Sequence, residues 1–493
     1  MGIDVTVAAK PLSLQRLSLG LNPMQAALLS LLLWIGVLLF GITISVELLN
    51  TLLIFITIIV MGLWLCYRAR IDLGDPKLKI LSTFWLLKVI ITIFLLYVAW
   101  IPNLDPSSVN FGYDPQRFYI DAWDLIENGW KPVAGSNYQG IIFFYGAIFY
   151  LFGHNPVIPS LINAFVTLLA TLFLIRCVYS FVQDRTAKDW MIAGVLLVPE
   201  VLWYDVMTSR ETLMAALIIF AVLSIGRYLA VIKNASLGKT LLVSGTTLFA
   251  ILAVRTSMVL SAVASIGVML LLLRSKHKMD ALAKVLLLGL AIAGISAGRF
   301  IQNLAGGSNI DFLAAIISVQ SFEANIASSA DWGHKSLGLL ITPNNSLQSL
   351  IYLPPRMMLY LAAPLPNVAV SVTELVNGSW SAWQSLMTAS TSAMMLMGFP
   401  YVLAGTAKSW LKRRQLPALL VIPITFWCTF ITVAGGNMII HERYRVMCTL
   451  LIFACMWYGY TRCTCREVKR WAVPWFSLLV AGAVFYMVYK FIW

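Results

Sequence analysis

The chain has 493 residues, of which 60% are hydrophobic and only 11% charged, and its mean hydropathy is +0.84. A soluble domain carries about 25% charged residues, so this composition excludes one and calls for a polytopic membrane protein built on apolar runs of about 20 residues. The 35 basic residues outnumber the 21 acidic ones, for a net charge of +14. They are spread through short loops, as expected of positive charge held on a cytoplasmic face, and do not form the single basic surface that nucleic acid requires.

The first apolar run comes after a stretch of polar and mixed residues and lacks a small-residue cleavage site, so it is expected to be a retained helix rather than a signal peptide. Spans are predicted at 25–45, 48–66, 80–100, 157–179, 190–206, 212–232, 240–254, 257–273, 281–299, 384–406, 416–434, 445–462 and 471–491, roughly thirteen in all. Basic clusters such as Arg68/Arg70, Arg176/Arg185, Lys412/Arg413/Arg414 and Arg466/Lys469/Arg470 set the cytoplasmic side. The expected fold is all-α: one multi-span membrane domain over 1–493, with large outer loops at 101–156 and 300–383. Two apolar pieces, 141–153 and the proline-rich 348–366, are too short or must return to the same side. They are predicted to be interfacial or re-entrant helices on the outer face. The seven cysteines fall in spans or cytoplasmic loops, so no disulfide framework is expected, and the Cys463–Cys465 spacing is not that of a zinc site.

The outer loops and span ends hold nine basic residues, and seven of them are arginine: Arg117, Arg210, Arg255, Arg299, Arg356, Arg443 and Arg445. Such a set opposes the positive-inside bias and suits recognition of an anion, phosphate above all. The stretch "DPQRFYIDAWDLIE" predicts a helix opened by Asp114 and Pro115. Asp114, Arg117, Asp121 and Asp124 share one face, and an apolar stripe of Phe118, Ala122, Leu125 and Ile126 suits the outer interface. Asp114 is then either a helix cap or a base, and Asp121 either a second acid/base or the i,i+4 partner of Arg117. Arg210 and Glu211 stand at the outer end of a span, where Thr208 or Ser209 can cap the next helix. His441, Glu442, Arg443 and Arg445 gather at the mouth of a late span. Glu47 is expected in a tight outer turn and Lys88 in a buried pair.

The pattern D-P-x-R-[FY]-Y-x-x-A-x-x-L resembles the first outer loop of the GT-C superfamily of glycosyltransferases. "YGAIFYLFG" and "NAFVTLL", within 145–169, look like the segment after that loop in the family. The late "GN…ERYR" is similar to an element of bacterial polysaccharide-assembly membrane proteins. The likeness covers roughly 110–180, with echoes at 199–220 and 435–455; two spans rather than one precede the Asp loop, and "DP" stands where a tight "DE" pair is usual. The resemblance implies a multi-pass inner-membrane enzyme, with its site facing the periplasm or exterior. Such an enzyme moves a sugar from a polyprenyl-phosphate-linked donor to a glycan or lipid-linked acceptor, with inversion. It also implies Asp114 as the base.

The arginines expected to hold phosphate are Arg210, Arg443 and Arg445, followed by Arg117 and Arg356, with Asp121, Glu211, His441, Glu442 and Tyr119 as secondary acid/base or sugar-binding groups. No cofactor is called for, although Asp114, Asp121 and Asp124 could hold a divalent cation. Two other readings fit the inventory: a Wzy-type O-antigen or exopolysaccharide polymerase, and a flippase or transporter of lipid-linked sugar.

Overall fold

The computed structural model describes residues 25, 28, 29, 32, 46–74, 76–101, 111, 113–131, 139–181, 194–230, 236–255, 258–273, 346–363, 371–412, 417–436 and 442–492. The expected span 281–299, most of 25–45, most of the second large loop, Arg299 and His441 lie outside those residues. Among the described residues every regular element is helical. A lipid interior offers the backbone no hydrogen-bond partner, so each spanning segment must satisfy its own amides and carbonyls.

The first half of the bundle comprises α1 (Val46–Leu73), α2 (Ile80–Leu95, running into a π turn, Leu96–Trp100), α3 (Tyr113–Glu127), α4 (Gln139–Phe152), α5 (Val157–Phe181), α6 (Pro199–Val206) and α7 (Glu211–Leu229). The second comprises α8 (Leu237–Val254), α9 (Val259–Leu272), α10 (Ser346–Ala362), α11 (Val372–Val376), α12 (Trp380–Leu411), α13 (Val421–Gly436), α14 (Glu442–Arg462) and α15 (Cys465–Ile492). Eight helices among the described residues are long and apolar enough to cross a membrane: α1, α2, α5, α7, α8, α12, α13 and α15. They coincide with eight of the thirteen expected spans. The chain is a multi-pass helical membrane protein. α15 carries a broad exposed apolar surface that includes Val473, Leu478, Val480 and Phe485, a face suited to acyl chains rather than water.

Two expectations change. Glu47 lies in the first turn of α1 rather than in a turn between helices. The proline-rich stretch is helical, as one continuous helix, α10, through Pro354 and Pro355 that packs on α12 and α13. The expected span 190–206 is interrupted: a 3-10 turn, Val195–Leu197, leads to an extended Val198 and then to the eight-residue α6. Pro199 is the cause, because its ring drives the preceding residue out of the helical region.

α14 runs through the middle of the bundle, against α12, α13 and α7. Its 21 residues match a membrane-crossing length of about 30 Å, but Arg445 and the run of Tyr, Trp, Gly and Thr in its last turns make it less apolar than the eight spans. It nests closely on α12: a Cβ on Gly459 would lie 1.9 Å from the carbonyl oxygen of Tyr401, so glycine is required there. Two ion pairs are sealed inside the bundle. Lys88, midway along α2, meets Asp205 at 2.5 Å, and Arg445 meets Glu200 at 2.9 Å, all four at 0–1% side-chain exposure.

Removing one member of a sealed pair leaves a naked charge, which costs about 3–5 kcal/mol, whereas replacing both by apolar residues is often near neutral. Glu200→Leu should therefore sharply lower the unfolding midpoint of the detergent-solubilised protein, and Glu200→Leu/Arg445→Met should regain much of it. An equal loss in the double variant would show that the charges themselves are not what matters.

Candidate functional site

The first wall of the site is α3. Phe118, Ala122 and Leu125 are buried against α4, while Ile120 and Glu127 face outward, as the amphipathic pattern requires. The Gln116 side-chain oxygen accepts the Phe111 N–H at 2.8 Å, so Gln116 rather than Asp114 supplies the side-chain bond at the start of the helix. Asp114 lies inside the first turn. The helix ends at "NGW", where Gly129 and Trp130 both adopt positive φ and the Trp130 N–H returns to the Leu125 carbonyl at 2.8 Å.

Asp114 reaches across 329 residues of sequence to Arg443, in the first turn of α14, with Oδ2 and Nη1 at 2.8 Å. The carboxylate is 38% and the guanidinium 26% exposed, so a ligand can reach the pair. Arg443 also donates from Nη2 to the Tyr444 hydroxyl at 2.8 Å and lies 4.8 Å from the centre of that ring. Arg255, at the end of α8, lies 4.7 Å from the same ring. Arg210 lies 5.9 Å from the Phe118 ring, with Nε 3.7 Å from Glu211 Oε1.

These groups share one electrostatic field. Burial, and then the like charge of Arg210, lowers the pKa of Arg255, with Tyr444 and Glu211 opposing. Burial also works against the charge of Arg443, but Tyr444, Glu211 and Asp114 outweigh it and push its pKa up. Arg210, Arg255, Arg443, Asp114 and Glu211 thus act on one another at a site with an open edge. No family model, curated protein or solved structure matches this chain. What the site can do rests on its own chemistry: it offers planar cations suited to an anionic oxygen cluster beside a carboxylate able to accept a proton.

Arg210, Glu211, Asp114 and Arg443 are thereby brought together. Arg445 stands apart. Nε and Nη2 hold Glu200, and Nη1 donates to the carbonyls of Tyr360, Leu361 and Ala363 and to the Ser392 hydroxyl at 2.8–3.1 Å. Arg356 is also buried, and its Nε donates to the Ala434 carbonyl in the last turn of α13 at 2.8 Å. Arg117 is exposed and pairs with Asp121 at 3.4 Å, the i,i+4 arrangement. Tyr119 is buried edge-on to Phe111 and Phe149. Glu442 opens α14.

Asp114, Asp121 and Asp124 do not form a metal site: among the described residues no three acidic, histidine or cysteine side chains gather to hold an ion. Asp114 is turned to Arg443 and Asp121 to Arg117. Arg255 belongs to the outer arginine set that suits an anion but is not among the arginines singled out for phosphate, and Tyr444 is not among the expected ligands at all. The sequence signal for Tyr444 is only a tyrosine between two arginines in "ERYR".

Beside the site, His154 lies against α3. Its ring is parallel to Trp123 at 4.3 Å and stacked with Tyr119 at 4.6 Å. Burial lowers its pKa from the ordinary 6.5, with Glu127 and Asp124 acting the other way. A histidine pKa depressed by folding means that the folded state binds fewer protons than the unfolded one. Its stabilising contribution is therefore present above the unfolded value and lost as pH falls through the folded one. Acidification from pH 7.5 to 5 should lower the unfolding midpoint more for the wild type than for His154→Gln. Parallel pH curves would show that this stack is indifferent to protonation.

Proposed function

We propose that this chain is a membrane glycosyltransferase that moves a sugar from a polyprenyl-phosphate-linked donor to a glycan or lipid-linked acceptor, with its site at the outer side of the inner membrane. The observation that carries this reading is the Asp114–Arg443 pair. It joins the carboxylate of the GT-C-like stretch to the arginine of the late "ERYR" element, with Arg210 and Arg255 alongside. Transfer with inversion needs one proton acceptor and cations for a leaving phosphate, and the cluster supplies both.

In the proposed reaction the acceptor oxygen bonds to the anomeric carbon as the bond from that carbon to the phosphate oxygen breaks. The bonding pair departs with polyprenyl phosphate, and the acceptor's hydroxyl proton passes to Asp114. Arg210, Arg255 and Arg443 stabilise the charge that grows on the phosphate, in an environment already organised to receive it. Arg443 is paired with Asp114, so donor phosphate drawing on the guanidinium would release the carboxylate for its proton. Arg445 and Arg356 support the site from within the protein. The gathering of Arg210, Arg255 and Arg443 also favours a second reading, a Wzy-type polymerase whose donor is a diphosphate-linked oligosaccharide and whose mechanism relies on the cations alone.

Asp114→Asn keeps the shape of the side chain and should reduce transfer by about 10²–10⁴-fold with membrane insertion unchanged, as measured by mass spectrometry of lipid-linked glycans from cells carrying each form. Near-normal product from this variant would sink the base assignment and favour the cation-only mechanism. Loss of long glycan chains alone would mark a polymerase, and loss of a single sugar addition a transferase.

A further inference from the structure

Between α6 and α7 the chain leaves the helical path at residues 207–210, and it does so at depth: Met207, Thr208, Ser209 and Arg210 are all at most 5% exposed. Non-helical backbone is tolerated inside a membrane protein only where other groups meet its amides and carbonyls. Here they come from two neighbouring helices. Asn163 of α5 donates from Nδ2 to the carbonyls of Met207 at 2.9 Å and Asp205 at 3.3 Å. Tyr145 of α4 donates its hydroxyl to the Ser209 carbonyl at 2.7 Å and lies 3.2 Å from the Asn163 side-chain oxygen. Ser160 donates to the Val206 carbonyl. One turn further along α5, Thr167 and Lys88 hold the Asp205 carboxylate. Ser160, Asn163 and Thr167 recur at intervals of three and four, a single helix face given over to this break.

The break touches the site at both of its ends. The Thr208 hydroxyl donates to the carbonyl of Pro115, the residue after Asp114. Arg210 then comes next but one, and its carbonyl accepts the first hydrogen bond of α7, from Met214 N–H at 2.9 Å. We infer that Tyr145 and Asn163 are positioning residues: by capping the carbonyls of 207–210 they set the Arg210 guanidinium beside the Asp114–Arg443 pair, for binding the phosphate of a polyprenyl donor. The phosphate part of this inference rests on the function proposed above; the positioning of Arg210 does not.

Two measurements on the full chain in detergent test it. In the first, phenylglyoxal labelling of Arg210 is tracked by mass spectrometry, with exposed Arg470 as the internal standard. Tyr145→Phe, which removes one hydroxyl, and Asn163→Leu should each raise the Arg210 labelling rate about 3- to 10-fold, the range expected when a buried hydrogen bond that holds a group is lost. In the second, polyprenyl monophosphate binding is measured across a double-variant cycle. Tyr145→Phe should weaken binding by a similar factor in the wild type and in Arg443→Ala, but add no further loss in Arg210→Ala. A residue needed only for folding would weaken binding in every background.

Unchanged Arg210 labelling in both variants overturns the inference whatever the ligand. So does an additive loss in Arg210→Ala, or an Arg210→Ala protein that binds as well as the wild type. Faster Arg210 labelling together with no binding of polyprenyl monophosphate to the wild type would instead overturn the donor reading, and support the positioning of Arg210.

Discussion

The ion pair between Glu200 and Arg445 holds the molecule's centre. Two charges placed in an apolar bundle are tolerable only when each is met by the other and by further hydrogen bonds, and this pair satisfies that condition completely. Glu200 receives Nε and Nη2 of Arg445 and the hydroxyl of Thr449, while Nη1 gathers the carbonyls where α10 ends and the Ser392 hydroxyl of α12. Four helices meet at one guanidinium. Because successive residues of a helix point about 100° apart, Arg443 and Arg445 leave α14 in nearly opposite directions. With Arg445 fixed inward, Arg443 is left at the partly exposed edge facing Asp114. The inner arginine sets the orientation of the outer one.

A second constraint is the departure from helix at Val198 and again at 207–210. An uninterrupted span there would keep its carbonyls within its own helix and give polar neighbours nothing to hold. The break presents those carbonyls to Tyr145, Ser160 and Asn163 instead, and places Arg210 at the start of a fresh helix. The Lys88–Asp205 pair lies directly beneath, and an aromatic group of Trp100, Phe111, Trp203 and Trp380, with ring centres 5.0–5.8 Å from Trp100, packs the entrance to α3 against α6 and α12. Rigid packing below and around the cluster matters because electrostatic catalysis depends on charges that need not reorganise as the reaction proceeds.

The chemistry suggested for the site arises from the cations gathered within it. Arg210, Arg255 and Arg443 act on one another through one field, and partial burial makes their charge count for more than it would in water. Planar cations of this kind suit an anion. Tyr444, with the guanidiniums of Arg255 and Arg443 both near its ring and its hydroxyl held by Arg443, keeps two like charges close without direct contact. This is a role that neither an aliphatic residue nor a phenylalanine could fill in full.

Hydropathy alone was enough to make this a helical membrane protein, because twenty-residue apolar runs have no other stable form in lipid. The period of three and four in "DPQRFYIDAWDLIE" likewise specified α3 and its buried stripe, since amphipathic spacing is a local property. Local sequence was less able to place the breaks: the expected span 190–206 ran through Pro199, where the chain in fact leaves the helix, and although the expected spans already part at 206–212, the donors from α4 and α5 that hold the second break were not legible. Nor could it sort the arginines. Arg443 and Arg445 are nearly adjacent in "ERYR", and Arg255 stands almost two hundred residues earlier. The sequence by itself determined which residues are charged and which helices carry them. Only the tertiary structure decided that Arg445 is spent on Glu200 while Arg255 joins Arg210 and Arg443, because the partner of a buried charge is chosen by packing between helices far apart in the chain.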